Sequence, residues 1–261
     1  MKKIFMLFDY IHYRFKSKNE HGVHSPFVYD LLTTVIYNNT EYYAYKEVED
    51  LRLELSRSNA VLNCVDLGAG SYLGKTNVRT IKQLLRYSVK PPKYSKLMFR
   101  LVDRFQPKEL LELGTSLGIT SAYLSKANPS SHLFTIEGCT EIATVARENF
   151  EKLNLQNITQ MEGEFDTCLP EVLNKIKQLD FVFFDGNHRK QATLNYFNAC
   201  LPKAHDSSVF VFDDIYWSTE MKQAWTEIKT NPKVSVTIDL FFMGLVFFRK
   251  DQTKEHFVLK F

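Results

Sequence analysis

Leu110-Leu111-Glu112-Leu113-Gly114-Thr115-Ser116-Leu117-Gly118-Ile119-Thr120-Ser121, with His132-Leu133-Phe134-Thr135-Ile136-Glu137 soon after it, decides how this chain is read. An apolar run ends in an acid and a glycine-spaced turn. A helix-like segment follows, and a second apolar run ends in another carboxylate. Glycines at the C-terminal end of a strand let a ligand approach the backbone, because no side chain fills the space. A carboxylate closing the next strand is placed to accept hydrogen bonds from ribose hydroxyls. The pair predicts the adenosine-binding half of an α/β fold.

From Pro107 onward strands are predicted near 109–112, 133–136, 158–162, 181–184 and 209–212, with helices between them, for example 140–153 and 170–177. Such alternation implies a parallel sheet. The runs 234–240 and 242–249 have only a tight connection, which predicts an antiparallel hairpin at the sheet's end. The expected fold class is α/β: a Rossmann-like, seven-stranded, mostly parallel sheet with that C-terminal hairpin and an N-terminal helical extension. Residues 1–94 are assigned to the extension or lid and 95–261 to the cofactor-binding domain.

Upstream of the domain, residues 1–60 read as helical. Ile4, Leu7, Phe8, Ile11 and Phe15 mark one apolar face, and Val48, Leu51 and Leu55 another. The first face is expected to pack against the main domain, with a membrane-surface role as the alternative. Ser25 and Pro26 read as the cap and first position of a helix over 27–36, preceded by His21 and His24 as lid candidates. Val65-Asp66-Leu67-Gly68-Ala69-Gly70-Ser71 also resembles a nucleotide-binding turn. About 20 residues on, however, stand Arg86 and Lys90 instead of a strand-ending acid, so this segment is read as a structural or lid loop.

The 261 residues can hold one large α/β domain with a decorated N-terminus or two small domains, and hydrophobic content of 44% with charged content of 24% argues against disorder. No apolar run approaches the roughly 20 residues of a membrane span. The apolar start is interrupted by Asp9 without a cleavage site, so no signal peptide is expected. Cys64, Cys139, Cys168 and Cys200 are scattered without ligand-like spacing, which predicts buried free thiols in a reducing cytoplasm. The net charge of +3 conceals a basic stretch of Lys75, Arg79, Lys82, Arg86, Lys90, Lys93, Lys96, Arg100, Arg104 and Lys108, with Asp103 its only acid. Its early members would share a helix face opposite Val78, Ile81, Leu84 and Leu85. That face is either simply solvated or a docking surface for an anionic substrate such as RNA.

Two further runs carry chemistry: Leu179-Asp180-Phe181-Val182-Phe183-Phe184-Asp185-Gly186-Asn187-His188 and Val209-Phe210-Val211-Phe212-Asp213-Asp214. In an open parallel sheet such strand ends face one ligand crevice. Clustered carboxylates repel, and a hard divalent cation such as Mg²⁺ resolves the repulsion, as does capping of neighbouring loops. His188 could accept a proton from a substrate hydroxyl, or hydrogen-bond its loop or stack on a cofactor. Arg189 and Lys190 read as solvated or anion-contacting. Tyr216 and Trp217 are rim candidates for a flat substrate, and Trp225 reads as core.

Together these motifs resemble the class I S-adenosylmethionine (SAM) methyltransferases over roughly 95–261, and more narrowly the catechol O-methyltransferase-like, metal-dependent O-methyltransferases. The resemblance implies that Gly114, Ser116 and Thr120 hold the methionine end of SAM, within a cofactor turn that includes Thr115 and Gly118. Glu112 would face the amino-acid portion, Glu137 would hold the ribose with Gly138 beside it, and Gly163-Glu164-Phe165-Asp166 would wrap the adenine. Asp185, Asp213 and Asp214 would bind a metal that coordinates two substrate oxygens, with Asp185 also next to the cofactor. Asp214 stands where the family carries Asn, and His188 stands where catechol-type members carry a base-like lysine, making His188 and Asp185 the catalytic candidates. The implied activity is methyl transfer to a hydroxyl of a small molecule. Methylation of a modified tRNA nucleotide guided by the basic stretch, and a non-catalytic partner-binding module on the same fold, are the alternatives. Homodimer formation, and oxygen against nitrogen as acceptor, stay open.

Overall fold

A computed structural model describes residues 2–63 and 78–261, with side chains from Met6 onward. The turn at 65–71, Cys64, Lys75 and the side chain of Ile4 therefore lie outside the described residues. The chain divides into two compact units, residues 1–38 with 177–261, and residues 39–176.

The first unit begins with α1 (Lys2–Lys16) and α2 (Pro26–Leu31), the latter running on into a π turn over Leu32–Ile36. Ser25 caps α2 as expected, its Oγ accepting from the Val28 amide at 3.4 Å, and Pro26 occupies the first turn. The expectation for α1 is overturned. Its buried residue is Tyr13, whose hydroxyl donates to the Leu259 carbonyl and whose ring lies 5.3 Å from that of Phe241. Asp9, on the same side, pairs with Lys222 at 2.7 Å. Leu7, Phe8, Ile11 and Phe15 are exposed instead.

The second unit runs α3 (Tyr43–Arg57), β1 (Val61–Asn63), β2 (Val78–Thr80), α4 (Ile81–Tyr87), α5 (Pro92–Phe105), β3 (Glu109–Leu113), α6 (Ile119–Ala127), β4 (His132–Glu137), α7 (Thr140–Lys152), β5 (Ile158–Glu162) and α8 (Phe165–Lys175). Strands β3, β4 and β5 pair in that order, all parallel, as the alternating pattern implied. Val48, Leu51 and Leu55 are buried on α3. The basic helix is shorter than expected: Val78 sits on β2, paired antiparallel with β1 and exposed, and a Thr80–Gln83 capping box starts α4 only at Ile81. Nor is the basic stretch one continuous face. Arg79 and Arg100 are buried and Lys96 pairs with Glu41 at 2.9 Å. Phe165 and Asp166 belong to the first turn of α8 rather than to a loop, and Pro170 lies within that helix rather than at its start.

The first unit resumes with β6 (Leu179–Phe184), α9 (Lys190–Cys200), β7 (Ala204–Asp213), α10 (Thr219–Thr230), β8 (Val236–Asp239), β9 (Met243–Phe247) and β10 (Glu255–Val258). The strand order is β10-β8-β9-β7-β6. β6 and β7 run parallel, and the expected hairpin is β8–β9, with β9 inserted antiparallel against β7. The sequence reading did not include β10, which pairs parallel with β8 and adds an eighth strand. The core here is aromatic, with Phe184 stacked on Phe212 at 4.3 Å and Trp225 buried as expected. Gly244 is required by that tryptophan: a Cβ there would stand 2.6 Å from its ring. Cys168 and Cys200 are buried free thiols, whereas Cys139 is only half-buried. Among the described residues no helix is long and apolar enough to cross a membrane.

Candidate active site

The turns that follow β3, β4 and β5 converge on one residue, Glu137. The amides of Gly114 and Thr115 both donate to the Ile136 carbonyl, at 3.0 and 3.2 Å, and fold the glycine turn back on β4. Ser116 and Gly118 then take positive φ angles of 48° and 76°. Glu137 Oε2 accepts from the Ser116 amide at 2.9 Å and Oε1 from the Cys139 amide at 3.0 Å. The Glu137 carbonyl accepts from the Gly163 amide at 2.9 Å. Burial raises the Glu137 pKa above the usual range, and the Cys139, Ser116 and Gly138 amides pull it back. An ionised carboxylate has about four lone-pair positions, so these amides leave capacity for hydroxyl donors.

The N-terminus of α6 opens from the same turn. Its cap residue is Gly118, which has no side chain to satisfy the first-turn amides. Such amides form a ready anion site. Thr120 is buried in that first turn, and the buried Ser116 Oγ has no hydrogen-bond partner. Gly118 itself is explained by packing, because a Cβ there would lie 2.5 Å from the Phe150 ring.

Glu112 is fully buried, and its Oε2 accepts from Ser121 and, at 2.7 Å, from Thr135. Thr135 thus uses its only proton, so in its 2.7 Å contact with Thr115 the Thr115 hydroxyl must be the donor. Glu112 braces the turn against α6 and β4, which leaves only its buried, unbonded Oε1 for a ligand. Burial, the largest cause, together with the nearby Glu137 charge, pushes the Glu112 pKa up to about 7, against the opposing hydrogen bonds of Ser121 and Thr135. Between the ordinary carboxyl range and pH 7 the folded chain keeps a proton that the unfolded chain has released. The resulting stabilisation, at most about 3 kcal/mol, is complete at low pH and is lost as pH rises through 7. Urea unfolding across this interval is expected to show that decline in the native chain and not in Glu112→Gln. Identical slopes in the two would mean that Glu112 is ionised throughout.

The other chemical cluster lies in the first unit. β6 and β7 run parallel with Phe184 opposite Phe212, so Asp185 and Asp213 leave adjacent strand ends side by side. Asn187 takes φ 48°, and its Nδ2 donates to the Tyr196 hydroxyl at 3.0 Å, which reverses the loop and returns His188 to the acids. Donor atoms of Asp185, His188 and Asp213 lie within 4.8 Å of one another. His188 Nε2 is 3.8 Å from Asp185 Oδ1 and 4.0 Å from Asp214 Oδ2. The assembled trio thus has His188 where Asp214 was expected. Asp213 is buried, whereas Asp185, His188 and Asp214 are partly accessible. Lys190 turns to Glu227 at 2.5 Å. Tyr216 is anchored inward, donating to Asp239 at 2.8 Å and stacking on Phe241, while Trp217 is half-buried. Asn187 escaped the sequence reading; its signal was the Gly186-Asn187 pair, residue types that favour left-handed turns.

Residues 111–215 match a family described as a methyltransferase domain, a segment that takes in both clusters. The segment that carries both clusters is thus similar to methyltransferase domains. The chain resembles the catechol O-methyltransferase of Niastella koreensis, at 27% identity over 127 residues, 48% of this chain and 57% of that protein. It also resembles the tRNA (guanine-N(7)-)-methyltransferase of Mycoplasma mobile, at 30% identity over 111 residues, 41% of this chain and 53% of that protein. The chain thus spans about half the length of the curated relatives it matches. In fold, the chain resembles an O-methyltransferase from Bacillus cereus solved in complex with SAH, with a TM-score of 0.57 at 19% identity, covering 81% of this chain and 93% of that one.

Proposed function

We propose that this chain transfers the methyl group of SAM to a hydroxyl of a small molecule with the help of a divalent cation. The observation that carries the proposal is the extent of the family match: it starts one residue before Glu112 and ends one residue after Asp214, taking in both the glycine turn and the acid–histidine trio. SAM supplies a methyl group already activated on a sulfonium, so positioning is the main demand on the protein. Glu137 takes the ribose hydroxyls, the uncapped first turn of α6 takes the carboxylate of the methionine part, and Ser116 Oγ donates beside it. The fit of a cation rests on the donor set. Two carboxylates and an imidazole suit a divalent ion, and the imidazole shifts preference from Mg²⁺ toward Mn²⁺, Fe²⁺, Co²⁺ or Zn²⁺. A cation held there would lower the pKa of an acceptor hydroxyl and orient its oxygen. In this reading His188 is a donor of the set rather than a base, and Asp214 accepts the hydroxyl proton. The buried thiols Cys168 and Cys200 suit a reducing compartment such as the cytoplasm.

Calorimetry of chelator-stripped protein with SAH, followed by methyl transfer from labelled SAM to catechol as probe, tests this. SAH is expected to bind without cation, and transfer to require Mn²⁺ or a related ion. Absence of SAH binding removes the methyltransferase reading, and turnover indifferent to chelator removes the cation. Transfer to tRNA but not to catechol, with steep salt dependence, hands the chain to the RNA alternative.

A further inference from the structure

We infer that α1 is a membrane-surface helix, lying in the interface of an anionic lipid bilayer. Its outward residues Leu7, Phe8, Ile11 and Phe15 are 57%, 64%, 43% and 87% exposed. At the helical repeat these four positions occupy an arc of about 100°, the width of a full apolar face. The opposite face is already committed, through Tyr13 to Leu259 and Phe241 and through Asp9 to Lys222. Surface hydrophobes scattered singly need no explanation, but a contiguous stripe marks an interaction site.

Charge selects the occupant. The helix and the residues just after it carry Lys2, Lys3, Arg14, Lys16 and Lys18 against the single acid Asp9, and Lys222 already neutralises that acid from the inner side. On the helical repeat Arg14 borders the stripe on one edge, and Lys16 lies beyond His12 on the other. A second copy of the chain would set these cations against their own kind. An anionic bilayer neutralises them while the apolar stripe enters the boundary between headgroups and acyl chains. This placement is independent of the reaction proposed above.

The test is flotation with vesicles of phosphatidylcholine alone and with phosphatidylglycerol added. The native chain is expected to float with the phosphatidylglycerol vesicles and to be released by salt. Phe8→Ser combined with Phe15→Ser is expected to weaken partitioning on the order of fiftyfold. Thermal unfolding and SAH binding should be unchanged, since neither ring is part of the core or of the cofactor turn. Arg14→Glu with Lys16→Glu keeps the stripe intact and should also abolish the preference for phosphatidylglycerol. Failure of the native chain to bind these vesicles overturns the inference, as does native-like binding by either double variant. Concentration-dependent dimers in sedimentation that the phenylalanine substitutions abolish, without vesicle binding, would assign the stripe to a second copy and overturn it too.

Discussion

Asp213→Asn is expected to lower methyl transfer by about a thousandfold while leaving SAH affinity within a factor of about three. The substitution keeps the shape of a buried side chain at the end of β7 and removes one of the two carboxylate donors of the trio. Asparagine presents at most a neutral carbonyl oxygen, so a cation there would lose one of the two negative charges that hold it. The glycine turn and Glu137 belong to the other unit, so the residues proposed to hold SAM are untouched. Stability should hold or rise slightly, because removing one of several neighbouring acids relieves like-charge repulsion. Turnover at saturating SAM, SAH calorimetry and thermal unfolding measured together check this. A rate within tenfold of the native chain would mean that Asp213 only caps its loop.

Glu137→Ala is expected to weaken SAH binding by about a hundredfold. The truncation does more than remove the acceptor proposed for ribose. It leaves the Ser116 and Cys139 amides without the oxygens that hold them at 2.9 and 3.0 Å, so the glycine turn loses its tie to the end of β4. Hydrogen bonds to a charged group contribute about 1.5–3 kcal/mol each, and loss of the ribose contacts alone accounts for the effect. Calorimetric titration is the check. A loss smaller than threefold would reduce Glu137 to a structural strand-end acid.

The strands were legible because apolar runs such as 109–113 and 181–184 are bounded by turn residues and too short for helices. The pairing of Asp185 with Asp213 was legible for the same reason, since parallel register follows once the two runs are aligned. Other features depend on contacts that periodicity does not encode. Amphipathicity showed that α1 has an apolar face but not what covers it, and Tyr13 with Asp9 won the inner side. Val78 fits a helix by spacing, yet antiparallel pairing with Val61–Asn63 draws it into a strand. His188 joins Asp185 and Asp213 where both Asn187 and Asp214 adopt left-handed backbone, angles that the sequence pattern does not specify. Glu112 ends its strand as expected, and the two hydroxyls that brace it through Oε2 come from other elements, which no strand pattern encodes.

The convergence of three turns on Glu137 has an energetic meaning for recognition. Its carboxylate fastens the turns after β3 and β4, and its carbonyl fastens the turn after β5, through bonds internal to the protein. The cradle proposed for SAM is therefore shaped before any nucleoside arrives. Little backbone freedom remains to be lost on association, so more of the contact energy is available as affinity.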